Sequence, residues 1–305
     1  MNNYYEVTLK EARLEKLKKN LNFKFYKGLV QNKELLEDIF FENNPNIVIH
    51  LAAQAGVRYS IDNPLSYAET NLMGTFQILE MAKKYNPDHL LIASTSSVYG
   101  NNPTMPLSET QKTNAPISFY AATKKSNEVM AHSYSHLYSI PTTLFRFFTV
   151  YGPWGRPDMA YFKFTRNIFL NKPINVFNKG NMLRDFTYIT DIVDAIYLLI
   201  SKIPLYPTKR NENIKNDSIS DFAPFRIVNI GNSEPVNLMS YIAELEKVIG
   251  KVAKKNFLEM QDGDVLKTHS NTELLYNLTK FSPKVTLHEG IFNFVEWYKS
   301  YYFKN

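Results

Sequence analysis

Short, dense apolar runs alternate with longer stretches of helical spacing through the first half of this chain. Asn46-Ile-Val-Ile-His-Leu-Ala52, His89-Leu-Leu-Ile-Ala93 and Thr142-Thr-Leu-Phe-Arg-Phe-Phe148 are nearly continuous in apolar character, the pattern of strands covered on both faces of a parallel sheet. Phe23-Lys-Phe-Tyr26 reads as one more strand. Residues 33–42, 71–84 and 118–138 carry helical patterns between the runs. This alternation predicts βαβ units and an α/β fold with a Rossmann-like parallel sheet, whose ligands bind just beyond the carboxyl ends of the strands. The second half is less regular. Residues 152–185 are rich in Pro, Gly, Trp and Arg and suit a substrate-facing region, whereas 207–224 are polar and aperiodic and read as an exposed loop. A last strand at Phe225–Ile230 precedes two helices, at 237–250 and 287–302.

Composition changes this picture only by exclusion. The 305 residues contain no cysteine, which removes disulfides and thiolate metal sites and fits a reducing cytoplasm. No apolar run is long enough to span a bilayer, and residues 1–20 lack the apolar core of a secretory signal. The net charge of +6 is spread along the chain among acidic residues rather than gathered into a block. That pattern argues against nucleic acid and leaves room for an anionic small molecule. The six histidines show no metal-site spacing. His50 closes an apolar strand and reads as structural, Asp191 and Asp194 as helix-start carboxylates, and Trp154 and Trp297 as packing residues.

Candidate chemistry lies where the strands end. Ala52-Ala-Gln-Ala-Gly56 offers small residues that let a flat ligand approach the backbone, and Arg58 follows with a guanidinium suited to a carboxylate or phosphate. Ser94-Thr95-Ser96-Ser97 places four hydroxyls in a row after the next strand, and no Asp or Glu intervenes before Val98-Tyr99-Gly100. One helix later, Tyr120 and Lys124 stand four apart and share a helix face. An ammonium beside a phenol favours the phenolate and so makes a general base. The pattern recurs at Tyr276 and Lys280, without a hydroxyl cluster before it. Context therefore separates the two pairs.

The order of L-A-A-Q-A-G-V-R-Y-S, S-T-S-S-V-Y-G, Y-A-A-T-K, R-F-F-T-V-Y-G-P-W-G-R-P-D-M-A and R-D-F-T-Y-I-T-D-I resembles the extended short-chain dehydrogenase/reductases. Among these it is most similar to the nucleotide-sugar epimerases that act on UDP-glucuronate at C4. The resemblance implies NAD as cofactor and transient oxidation to a 4-keto sugar. It implies Tyr120 as general base, Lys124 as the residue that tunes it and holds the nicotinamide ribose, and Thr95 as a hydroxyl on the same substrate oxygen. Ala52, Ala53, Asn71, Ser94 and Phe148 match cofactor-contact positions. Ser96, Ser97, Thr149, Arg184, Tyr188 and Asp264 match positions lining the UDP-sugar site, with Arg58 facing the uronate carboxylate. Related 4,6-dehydratases and decarboxylases carry acids before V-Y-G, so Ser96-Ser97 implies epimerisation instead. The near alternatives are a UDP-glucose/galactose 4-epimerase and a remnant that at best binds UDP-sugar or a partner. A homodimer is the family's usual assembly.

The family's glycine-rich turn, G-x-x-G-x-x-G, is not found at the spacing of this chain's 11 glycines. Asn2-Asn-Tyr-Tyr-Glu-Val-Thr-Leu-Lys-Glu-Ala-Arg-Leu14 matches a family segment that follows the second strand. The resemblance thus implies an N-terminally incomplete NAD-binding unit over 1–151, joined by 186–203 and 225–233. Residues 152–185 and 234–305 form the nucleotide-sugar-binding part. Weak NAD binding and an exposed sheet edge at 46–52 are the corresponding expectations.

Overall fold

A computed structural model describes residues 2–206, 208, 214–261 and 263–303. In chain order its elements are α1 (Val7–Leu17), α2 (Lys33–Asn43), β1 (Ile47–His50), the short α3 (Tyr59–Asp62) and α4 (Pro64–Tyr67), and a π-helical turn (Ala68–Met73) leading into α5 (Gly74–Tyr85). Then come β2 (His89–Thr95), a 3-10 turn (Ser96–Tyr99), α6 (Phe119–Tyr138), β3 (Thr142–Phe147), β4 (Thr149–Tyr151), α7 (Ala160–Phe169), β5 (Ile174–Phe177) and β6 (Leu183–Tyr188). The chain continues with α8 (Ile189–Ile200), β7 (Phe225–Ile230), β8 (Pro235–Asn237), α9 (Leu238–Ile249), β9 (Lys255–Leu258), α10 (Glu273–Thr279) and α11 (Leu287–Tyr302).

The main sheet has the order β1-β2-β3-β7 and is parallel throughout. Alternation along each strand sends side chains to opposite faces. Leu90, Ile92 and Leu144 join a core with α2, α5 and α6, while Leu91, Phe145, Val228 and Ile230 join one with α8 and α10. A second core gathers β4–β6, α7, α9 and α11 around Tyr151, Phe186, Tyr241 and Phe294. There β4-β6-β8 and β5-β9 form two small sheets. Polar caps start the long helices. Asn32, Ser118, Asn237 and Thr286 each accept a backbone N–H of the first helical turn, a device worth about 1 kcal/mol apiece.

Two sequence readings change. Phe23–Tyr26 forms no strand among the described residues, and Lys24 and Tyr26 instead turn to Glu42 of α2. Part of the supposed exposed loop is tied down. Asp217 takes both sides of the Arg226 guanidinium at 3.0 Å, and the Ser218 hydroxyl bonds Ile227 of β7. Residues 207 and 209–213 of that loop lie outside the described residues. β1 forms one edge of the main sheet, with Ile49 and Leu51 exposed. The minor structural assignments of His50, Asp191 and the tryptophans agree with the geometry, whereas Asp194 lies beyond the first turn of α8 and is exposed. The His50 ring pairs with the Thr75 hydroxyl at 3.0 Å, and burial, helped by Lys124, lowers its pKa to about 3. Asp191 accepts the Lys284 and Val285 N–H groups, and Trp154 packs on Trp297 and Tyr301. No described helix is long and apolar enough to cross a membrane.

Candidate active site

A cavity of about 1230 Å³ opens where β1, β2 and β3 end, between the main sheet and the second core. Parallel strands deliver their following loops to one edge, so residues far apart in sequence line one space. Ala53, Arg58, Ser94, Thr95, Ser96, Ser97, Tyr120, Lys124, Phe148, Thr149, Arg184 and Asp264 all border it. Three of the proposed site residues do not. Ala52 is exposed on the turn beside the cavity. Asn71 lies fully buried beneath it, bonding both Gln54 backbone groups and the Thr123 hydroxyl. Tyr188 is buried in the second core against Tyr151. Asn71 thus braces the turn after β1.

The turn after β1 is held from several sides. The Tyr67 hydroxyl donates to the Ala55 and Gly56 carbonyls, at 3.1 and 2.5 Å. The Ser60 hydroxyl accepts the Tyr120 N–H at 3.2 Å, joining this turn to the start of α6. Gly56 sits at φ +108°, where a side chain is strained, and a Cβ there would lie 2.6 Å from the Tyr4 hydroxyl.

At the cavity floor the pair on α6 faces the hydroxyl run that follows β2. Burial raises the Tyr120 pKa, and the Arg156 guanidinium and the neighbouring Thr95 hydroxyl oppose that rise. Lys124 is buried, and burial lowers its pKa to about 8 against the pull of Glu128. The charge acting on the phenol is therefore Arg156, a residue that sequence reasoning passed over. Its side chain is fixed on Asp158 at 2.9 Å, and the same carboxylate oxygen accepts the Tyr4 hydroxyl at 3.1 Å. The signal was present as an arginine in the Gly- and Pro-rich loop after β4. Its direction toward Tyr120 depends on folding. Lys124 makes no hydrogen bond or ion pair among the described residues, so its donors are free toward the cavity. The far end is cationic: Arg58 pairs with Asp264 at 3.0 Å and lies over the Phe177 ring, and Arg184 stands near both.

Comparison with known proteins now decides the family. Residues 1–214 match the model of the NAD dependent epimerase/dehydratase family. The chain belongs to that family. This epimerase/dehydratase chain is 48% identical over 302 residues to a probable UDP-glucuronate 4-epimerase of Rhizobium meliloti, covering 99% of this chain and 89% of the relative. It is 43% identical over 306 residues to UDP-glucuronate 4-epimerase 1 of Arabidopsis thaliana, covering 99% and 70%. Among solved structures it resembles the UDP-glucuronic acid 4-epimerase of Bacillus cereus in complex with UDP-glucuronic acid and NAD. The identity is 33%, the TM-score 0.82, and the coverage 96% of this chain and 87% of that one.

Proposed function

We propose that this chain catalyses NAD-dependent epimerisation at C4 of a UDP-sugar, interconverting UDP-glucuronate and UDP-galacturonate. The observation that carries the reading is the meeting of Tyr120, Thr95 and a Lys124 with free donors at one cavity of a chain this similar to UDP-glucuronate 4-epimerases. The cofactor fits at one end. A buried ammonium with unused donors beside small residues and Phe148 suits the diol and flat ring of a nicotinamide ribose. Lys124, Ala53, Ser94 and Phe148 are the residues that would hold it. When bound, NAD supplies a hydride acceptor that can return the hydride to either face of the sugar carbon.

The chain's own groups handle the proton. Tyr120 takes it from the 4-hydroxyl and gives it back after the sugar presents its other face. The Thr95 hydroxyl bonds the same oxygen and keeps it within reach of the phenol. Arg156 stabilises the phenolate electrostatically. No carboxylate stands among Ser94–Ser97 to abstract a second proton, which supports epimerisation over elimination or decarboxylation. Arg58 and Arg184 supply positive charge for an anionic sugar nucleotide, with Thr149, Ser96 and Ser97 as neutral donors.

The test is incubation of the purified chain with NAD and UDP-glucuronate, following the sugar H4 and H1 signals by NMR. UDP-galacturonate is the expected product. Turnover of UDP-glucose but not of UDP-glucuronate would move the assignment to the neutral sugar, and no turnover of either would overturn it.

A further inference from the structure

A buried cluster beneath the cavity joins Ser94 to two charged residues, Glu128 and Arg146, that the chemistry just described does not use. Ser94 on β2 and Arg146 on β3 are register partners, so both side chains project from the same face of the sheet. Both end on Glu128, one helical turn beyond Lys124 on α6. The Ser94 hydroxyl donates to Oε1 at 2.7 Å, Arg146 Nε donates to Oε1 and its second nitrogen to Oε2, each at 2.9 Å, and Lys125 reaches Oε2 at 3.0 Å. Glu128 and Arg146 are only 2% and 1% exposed. The network continues outward. Arg146 also donates to the Glu109 carbonyl at 3.1 Å and lies over the Tyr99 ring, whose hydroxyl bonds Asn229 of β7. An ion pair this deep contributes little net stability over an apolar replacement of the same volume. Its geometry is more informative. It joins the turn of α6 that carries Lys124 to the strand that ends in Thr95.

We propose that Glu128 is a positioning residue for the catalytic pair. Clamped by Ser94 and Arg146, its carboxylate fixes the Lys124 turn of α6 against the end of β2 and keeps negative charge one turn from the Lys124 ammonium. The inference rests on the epimerase reading for its meaning, and its geometry stands without that reading. Of the titratable groups around this clamp, His50 on β1 and Glu128 act on Lys124 itself, Lys125 on α6 and Arg146 on β3 meet Glu128, and Glu109 on the loop before α6 meets Arg146. His50 is held neutral by burial, Lys125 and Arg146 are cations, and Glu109 is shifted up to about 7 by burial. Below neutral pH Glu128 is therefore the one carboxylate charge in the set, and above it Glu109 joins. Losing it removes the support for a charged Lys124.

The experiment is competitive acetylation of the full chain across pH with acetic anhydride, reading Lys124 modification by peptide mass spectrometry. In Glu128→Gln the midpoint of Lys124 reactivity falls by about one pH unit. Because that change leaves Arg146 buried without its partner, the Glu128→Gln, Arg146→Met double variant is measured beside it, and a smaller fall in the same direction is expected there because a nearby cation is lost as well. An unmoved or raised midpoint in both variants overturns the proposal and leaves Glu128 as a packing ion pair. In the epimerase assay, Glu128→Gln lowers kcat about tenfold with the KM for UDP-sugar within twofold. It also moves the alkaline limb of the rate profile to lower pH. Labelling decides this inference even where turnover is absent, and turnover of the parent chain decides the epimerase reading separately.

Discussion

The chain carries the same four-residue spacing of tyrosine and lysine twice, and the fold treats the two copies in opposite ways. Tyr120 and Lys124 lie in the first turns of the 20-residue α6, begun by Ser118, and both border the cavity. Tyr276 lies in the seven-residue α10 and is 49% exposed, and Lys280 is already past the helix, in the left-handed conformation at φ +59°. There the lysine folds back, its ammonium 5.4 Å from the centre of the Tyr276 ring. One pair is taken out of water and placed among other charges, while its twin remains a surface cation over an aromatic ring. Spacing sets which side chains can meet. Burial and neighbours set what the meeting does.

Substitutions can sharpen the contrast. The largest expected effect is Tyr120→Phe, which lowers kcat at least a thousandfold by removing the proton acceptor, whereas Tyr276→Phe leaves turnover within twofold. The readout is the NMR assay with both variants folded by circular dichroism. Next, Lys124→Met lowers kcat/KM about a hundredfold and weakens NAD in a titration, against no measurable change for Lys280→Met. The pH profile has two expected limbs. The active phenol must be deprotonated and burial raises its pKa, so the rate climbs with pH on the acid side of the profile. Lys124 acts as a cation and titrates near 8, so the rate turns down above that point. Arg156→Met removes the charge that opposes the rise at Tyr120, so the acid limb moves to higher pH and the rate at pH 7 falls about tenfold. An acid limb unchanged in that variant would assign the phenol's tuning elsewhere. The smallest effect belongs to the twin. Lys280→Gly at a left-handed helix end stabilises the chain by about 0.5–1 kcal/mol in urea unfolding.

The parts legible in sequence are those governed by local pattern. The bounds of β7, Phe225–Ile230, and of the last helix, at 287–302, agree with the reading, because apolar period and a threonine cap determine them locally, although two further strands follow β7. The cavity's hydroxyl run and Tyr120-Lys124 were also readable, since parallel strands deliver the residues that follow them to one edge. What depended on distant partners was not. Phe23–Tyr26 has strand composition but no neighbouring strand among the described residues, and Glu42 claims its polar side chains instead. β5 and β9 pair Ile174–Phe177 with Lys255–Leu258 across some eighty residues, and neither segment announces its partner. The bonds from Asn71 to the Gln54 backbone join residues 17 apart and depend on the folded turn. Arg156 looks like one basic residue among many, and only the folded loop turns it toward Tyr120.

One carboxylate bears on how this molecule can move. Asp185 of β6 is completely buried and accepts the backbone N–H groups of Asn232, Ser233 and Ser270 and the Ser270 hydroxyl, all between 2.6 and 3.0 Å. Its neighbour Arg184 faces the cavity from the same strand. Swinging the second core away from the main sheet would strip four donors from one carboxylate where water cannot replace them. Rigid-body opening is thus the costly route for a sugar nucleotide to enter. Breathing of the loops around Trp154–Asp158 and Gly263–Val265 breaks bonds at partly exposed groups, such as Arg156 to Asp158 and Arg58 to Asp264, which water can replace. Amide exchange at Asn232, Ser233 and Ser270 should remain slow while those loops exchange quickly, and a ligand that closes the cavity should slow the loops and leave the Asp185 junction unchanged.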